Sequence, residues 1–361
     1  MPSRELRFRV APQMAVTRTS VLRTLRSPKL VNGLGFGFVA VIVLWLGVNF
    51  VKDPTYFVNI GLDGLTRGTI YGVVALGYTL VYGILQLINF AHGDVFALSG
   101  LVASTIMLSV LNVTPSSSNA AVAGAVVVAL LITVPLFALF NGAIERIAYR
   151  PLRNAPRLAP LITAVGMSFI VFNISLALYG VDYESGSELI PQGTAFSIGD
   201  IRFTWKLMIA LAIIVPTLVV LSWFVSSTRQ GKAMRAVSQD TEASAMMGIN
   251  VNRTISVTFF LAGSLAAVAG LVFFLEYQVR FDSGFQLGLI AFTAAVLGGI
   301  GNLTGAVLGA LLIGLIQSFN EGLTWYAPGS AWTRSIVFGI LIATLVFRPE
   351  GLLGERTPEG A

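Results

Sequence analysis

Ten apolar runs separated by short polar stretches make up the chain between about residues 33 and 347. They cover about 33–51, 60–87, 94–112, 120–142, 158–180, 206–226, 254–276, 287–300, 303–320 and 333–347. Most approach the roughly 20 residues that an α-helix needs to cross a hydrocarbon core of about 30 Å. In lipid every backbone N–H and C=O must be satisfied within the spanning structure, which favours helices over isolated strands. The pattern therefore predicts an all-α integral membrane protein, a polytopic helical bundle of about eight to ten segments. The runs 287–300 and 303–320 can also be read as a re-entrant pair.

Two interruptions stand out. The first, Asn89-Phe90-Ala91-His92-Gly93-Asp94, stops one apolar run and starts the next. Asn89, His92 and Asp94 are strong hydrogen-bonding groups, and a central Asp costs about 2.5–3.5 kcal/mol in a spanning helix. The stretch is either a polar turn at the membrane surface or a broken helix lining a cavity, the device by which transporters present free helix ends to a substrate. Gly93 suits the break because glycine adopts positive φ without strain. Phe90 and Phe96 can supply an apolar wall beside the polar groups, whereas His92 and Asp94 can equally serve to lock the break in place. The second interruption, Gly298-Gly299-Ile300-Gly301-Asn302, places Asn302 at a similar point in the second half.

Residues 227–253 break the apolar pattern differently. Asp240 is placed as an N-cap with Glu242 in the first turn, where the helix dipole favours an acid. Ala243, Met246 and Met247 fall on one face at i, i+3, i+4, and Gly248 is a natural stop. A short amphipathic helix with an adaptable, methionine-bearing face is predicted, suited to docking in a groove on a partner. Earlier, Gly64, Gly68 and Gly72 form a small-xxx-small ladder that allows close helix packing.

Composition sharpens this picture. The 361 residues are 55% apolar and 11% charged, with mean hydropathy +0.81. With no cysteine and one histidine, disulfides and Cys/His metal sites are excluded, and no metal site is expected. Gly231-Lys232 is followed by Ala233 and lacks the spacing of a P-loop, so no cofactor is expected and any ATP must be bound by partner subunits. No cluster of nucleophile, base and metal ligand suggests catalytic residues. Ten crossings with the N-terminus inside put 17 of the 23 basic residues in the arm 1–31, the loops 145–157 and 227–253 and the C-terminal segment from Arg348 onward, as the positive-inside rule requires. The basic excess is thus a topology signal, not a nucleic-acid surface. The arm, with seven basic residues and one acid, is expected to be disordered and cytoplasmic, lying against membrane lipid. The acid-rich stretch 181–204 reads as an external loop with room for a short hairpin. Three regions follow: the arm 1–31, a transmembrane domain 32–348 containing the cytoplasmic loop 227–253, and the tail.

Gly77 to Gly100, GYTLVYGILQLINFAHGDVFALSG, resembles the signature GYTxVYGxxxxINFAHGxV of the branched-chain amino acid ABC permeases of the LivH type. Asp94 sits where that family has Asp or Glu. Three other stretches carry the resemblance: Glu145 to Arg153 matches ER-x-AYRP-x-R, Thr293 to Gly301 matches TAAVLGGIG, and Glu242-Ala243 with Gly248-Ile249 resembles the EAA-type loop that contacts the ATPase. The likeness covers about residues 57–354. It implies a ribose-permease-like fold, two ABC ATPase subunits, a second permease of the LivM type, an extracytoplasmic substrate-binding protein and a bacterial inner-membrane location. A urea or short-amide importer shares the signature, and a sugar importer is a more distant reading. An ABC-independent transporter or channel would need ionisable groups deep in its spans, whereas Asp63, Arg67, Asp94 and Glu276 lie near the ends of the runs.

Overall fold

The computed structural model describes residues 28–354 except Asn154 and Arg157. The expected arm lies outside the described residues up to Ser27, as does the expected tail beyond Gly354; helix begins at Pro28, within the stretch read as arm. The chain forms two compact units, residues 1–57 and 58–361. The first contains α1 (Pro28–Lys52) and the opening turn of α2 (Pro54–Leu85). There Asp53 Oδ1 accepts from the Tyr56 N–H at 2.8 Å, and Phe50 meets Phe57 edge-on at 5.6 Å.

The second unit is a helical bundle. After α2 come α3 (Ala91–Ser104, continued as a π-turn to Val110), α4 (Asn119–Ile144, continued to Leu152) and α5 (Leu158–Tyr179). Then follow α6 (Trp205–Ser227), α7 (Arg229–Gln239), α8 (Thr241–Met246), α9 (Val251–Glu276), α10 (Ser283–Gly298), α11 (Leu303–Gly322) and α12 (Ser330–Phe347). Among the described residues, eight helices are long and apolar enough to cross a membrane: α2 to α6, α9, α11 and α12. This is the all-α, polytopic membrane architecture that the apolar runs predict. α10, with 16 residues, is about 24 Å long and falls short of a full crossing.

The helices sort into layers. The apolar stretch of α9 is 78% buried, against 17% for α5 and α12. α9 is therefore the central post, and α2 and α3 share its buried layer, while α4, α5, α6 and α12 turn large apolar side chains outward. Small residues set the contacts. A Cβ on Gly68 would lie 2.8 Å from the Leu311 backbone, so the glycine ladder of α2 packs directly on α11. Asn141 Nδ2 of α4 donates to the Phe259 carbonyl of α9 at 2.7 Å, and Ser99 Oγ of α3 reaches the Ala266 carbonyl at 3.0 Å.

Strand is confined to loops. β1 (Glu184–Ser185) pairs antiparallel with β4 (Gln278–Val279), and β2 (Thr194–Ile198) with β3 (Ile201–Thr204). The second pair is a hairpin within the acid-rich stretch, turning at Gly199, φ +60°, with Phe196 stacked on Phe203 at 4.6 Å.

The first interruption lies earlier than predicted. The non-helical residues are 86–90. His92, Gly93 and Asp94 are already in the first turn of α3. The left-handed residue is Gln86, φ 52°, whose N–H closes on the Tyr82 carbonyl at 2.7 Å, and Gly93 is not among the positive-φ glycines. The second interruption falls where the glycines place it, with φ of 107° at Gly299 and 96° at Gly301.

Candidate functional site

The interruption between α2 and α3 gathers buried polar groups. Asn89, His92 and Asp94 are each at most 2% exposed. Tyr149 Oη, from the end of α4, donates to Asn89 Oδ1 at 2.7 Å, and Ser168 Oγ of α5 donates to Asp94 Oδ2. Two helices, α4 and α5, thus converge on residues 89–94. His92 fits because Gly77 of α2 has no side chain: a Cβ there would lie 2.1 Å from His92 Nε2. The imidazole meets Tyr78 edge-on at 4.9 Å and lies beside the Val74 carbonyl, in a geometry short of a hydrogen bond.

Gly93 serves packing. A Cβ there would lie 2.4 Å from the Gly284 carbonyl oxygen and 2.9 Å from Gly288 Cα, so α3 and α10 cross backbone to backbone. A Cβ on Gly284 would in turn lie 2.8 Å from Asp94 Oδ1. That oxygen, like Asn89 Nδ2, is buried without a hydrogen-bond partner among the described residues. Gly284 also lines a narrow cleft with Tyr78, Ile88, Phe90, Phe285, Leu289 and Phe292. A carboxylate oxygen therefore sits behind an aromatic and aliphatic wall, and the unpartnered amide belongs to the residue between Ile88 and Phe90 of that wall. Charged and polar groups buried in this way are costly unless a ligand, water or protein group meets them.

The other residues singled out in the sequence are placed as follows. Phe90 lies on the cleft, but Phe96 is packed in the core against Phe273 at 5.5 Å and does not reach it. Asn302 caps α11, its Oδ1 accepting from the Gly305 N–H at 2.9 Å, and its Nδ2 donates to the Leu353 carbonyl at 2.8 Å. The last turn of α2, just before the first interruption, nevertheless approaches the second, because a Cβ on Gly83 would lie 3.8 Å from Gly301 Cα. Tyr149 lies in the ER-x-AYRP-x-R stretch, which does not itself point to Asn89, whereas Ser168, Gly284 and Gly288 carry no local signal and are brought in by tertiary packing alone.

A second cluster lies around the middle of α2. Arg67 pairs with Glu321 at 2.6 Å, Tyr71 Oη donates to Gln317 at 2.8 Å, and Thr333 Oγ1 donates to Glu321 at 2.8 Å. Glu276, at the end of α9, is 6% exposed and keeps one carboxylate oxygen unpartnered among the described residues.

On the basic face, residues 227–253 form two short helices rather than one. Asp240 Oδ1 caps α8 as the spacing predicts, accepting from the Glu242 and Ala243 N–H groups at 2.9 and 2.8 Å. Gly248, φ +83°, ends it, with Gly248 N–H on the Ala245 carbonyl and Ile249 N–H on the Ser244 carbonyl. These two bonds are the paired closure of a Schellman motif. Met246 and Met247 are 80% and 84% exposed, Glu242 is exposed, and Ala243 is half-buried. α7, which the sequence reading passes over, carries α8: Arg235 reaches back to the Val225 carbonyl at 2.7 Å, closing the end of α6.

The family described as branched-chain amino acid transport system / permease component matches residues 60–346. The high-affinity branched-chain amino acid transport system permease protein BraD of Pseudomonas aeruginosa is 37% identical over 306 residues, covering 82% of this chain and 96% of the relative. The corresponding permease protein LivH of Escherichia coli K12 is 35% identical over 308 residues, covering 84% and 97%. The galactose/methyl galactoside import permease protein MglC of E. coli K12 is less similar, 27% identical over 329 residues, covering 85% and 91%. By family match, by identity along most of its length and by the helical architecture, the chain belongs to the family of branched-chain amino acid transport system permease components.

Proposed function

We propose that this chain is a membrane-spanning subunit of an ATP-driven importer and passes branched-chain amino acids. The observation that carries the substrate class is the cleft beside Asp94. Leucine, isoleucine and valine are zwitterions with apolar side chains, needing an acceptor for ammonium, donors for carboxylate and an apolar wall. Asp94 Oδ1 is unpartnered behind Gly284, Asn89 Nδ2 is unpartnered between the cleft residues Ile88 and Phe90 in the chain, and Phe90, Leu289 and Phe292 line the wall. Asn89, Phe90, His92, Gly93 and Asp94 are the pathway candidates in this reading. The site is weak by design, since a substrate handed over by a tight external binding protein must also be released.

The basic face is assigned to the cytoplasm by the positive-inside rule, which puts both termini inside a bacterial inner membrane. α8 is then the element that meets an ATPase. Its capped, rigid frame presents Glu242, Met246 and Met247 outward, and methionine faces adapt to a partner groove. Two ATPase subunits would bind and close on ATP, a second permease of the LivM type would complete the pathway, and alternating access follows from the partners' different affinities for two states.

The test is uptake of labelled leucine into proteoliposomes holding the chain with its co-purifying partners. The expected result is ATP-dependent uptake in competition with valine but not urea or galactose. Transport of urea or galactose in place of leucine would overturn the substrate class. Transport without any co-purifying ATPase would overturn the importer reading.

A further inference from the structure

The basic face holds a cavity that the transport pathway does not use. It measures about 300 Å³ and is lined by Arg150, Asn250, Asn252, Arg253 and Ser256. Behind it, Glu145, 1% exposed, accepts from Ser256 Oγ at 2.7 Å and from Arg153 Nη2. Arg153 Nη1 donates to Asn252 Oδ1 at 2.6 Å. The Glu145 carboxylate is thus matched by Arg153, and this clasp fixes the end of α4 against the start of α9. Arg150 and Arg253 remain. Both are exposed, and neither has an ion pair or side-chain hydrogen bond among the described residues.

Two further features point to what fills the cavity. Asn250 caps α9, accepting from the Arg253 N–H at 3.0 Å, so the positive end of a 26-residue helix opens beside the two guanidinium groups. Ile147, three residues before Arg150, is 75% exposed, and Leu158 and Ile162 are 68% and 69% exposed. The arginines therefore stand where two spans end and an outward apolar surface begins. A guanidinium fork matches phosphate oxygens in shape and charge, and the adjoining apolar surface suits acyl chains.

We propose that this cleft binds the phosphate headgroup of an anionic phospholipid from the leaflet on the basic face. The site is separate from the pathway, and its argument does not depend on the substrate.

The test is native mass spectrometry of the detergent-purified complex, with titrated phosphatidylglycerol, phosphatidylcholine or inorganic phosphate. The variants are Arg150→Gln/Arg253→Gln and, removing the same charge from exposed positions outside the cleft, Arg229→Gln/Lys232→Gln. The expected result is preferential retention of phosphatidylglycerol, reduced about tenfold in the cleft variant and unchanged in the control. Arg150→Lys/Arg253→Lys, which keeps charge but loses the fork, is expected to retain an intermediate amount. Equal losses in both Gln variants would overturn the proposal in favour of general surface charge. Inorganic phosphate displacing the bound lipid at millimolar levels, with no preference for phosphatidylglycerol over phosphatidylcholine, would mark a free-anion site. Unchanged lipid retention with loss of an ATPase subunit would mark a protein contact.

Discussion

A missing methyl group at position 93 decides how closely α3 approaches α10. The sequence draws attention to Gly93 for a conformation it does not adopt; what it supplies is room, since a Cβ would lie 2.4 Å from the Gly284 carbonyl oxygen. The expected effect of Gly93→Val is therefore loss of uptake with part of the protein failing to reach the membrane, because the neighbour in the way is backbone. Uptake normalised to membrane content checks it, and wild-type values on both would refute the packing account. Ser168→Ala removes the donor to Asp94 Oδ2 and leaves both carboxylate oxygens without a partner among the described residues. A loss of about 1–3 kcal/mol is expected, read as a lower midpoint of thermal unfolding in nanodiscs. Asn89, His92 and Asp94 were legible because polar groups interrupting an apolar run are costly wherever they sit. Ser168 was not, because a hydroxyl inside a helical run satisfies itself or a distant partner with equal ease, and the motif holding Tyr149 does not show that it reaches Asn89.

Helix ends are where local chemistry speaks most clearly. Asp240 and Gly248 bound α8 as their residue types predict, since capping is decided within a few residues. Asp240→Ala is expected to cost about 1 kcal/mol of local stability. Gly248→Ala, held at φ +83°, should cost about 1–2 kcal/mol. Hydrogen exchange at Glu242 to Met246 should quicken in both variants while the α9 core keeps its protection, and transport-stimulated ATP hydrolysis should fall in step. Unaltered exchange would show that α8 is held by contacts other than its caps. α7 escaped the sequence reading because its buried side, Gly231, Met234 and Val237, is narrow and partly made of glycine. The first interruption was misplaced for a related reason. Gln86 adopts left-handed backbone with no glycine to announce it, its N–H closing on the Tyr82 carbonyl.

For the whole molecule, the number of apolar runs gave the number of helices closely, because hydropathy over about 20 residues reports burial in lipid directly. It does not report which helices form the core. α9 and α5 are both strongly apolar, yet only α9 is central, and the difference lies in small residues such as Gly263 and Gly270 that admit neighbouring backbone. The family match covers 60–346 and the larger compact unit begins at Val58. Removal of residues 1–27 is accordingly expected to leave ATP-dependent uptake per membrane-inserted protein unchanged within about twofold, since the helix-flanking charges that set orientation remain at the later loops. A loss of uptake at normal membrane level would assign that segment a part in transport.

The bend between α10 and α11 is finished from a distance. Leu352 and Leu353 donate to the Leu297 and Gly298 carbonyls, and Asn302, 51 positions earlier, holds the Leu353 carbonyl. During synthesis the hairpin therefore enters the bilayer with two bare carbonyls and waits for α12 to be inserted before they are covered. Until then it is the least finished part of the permease and the natural place for a membrane protease to test whether a new chain has been completed.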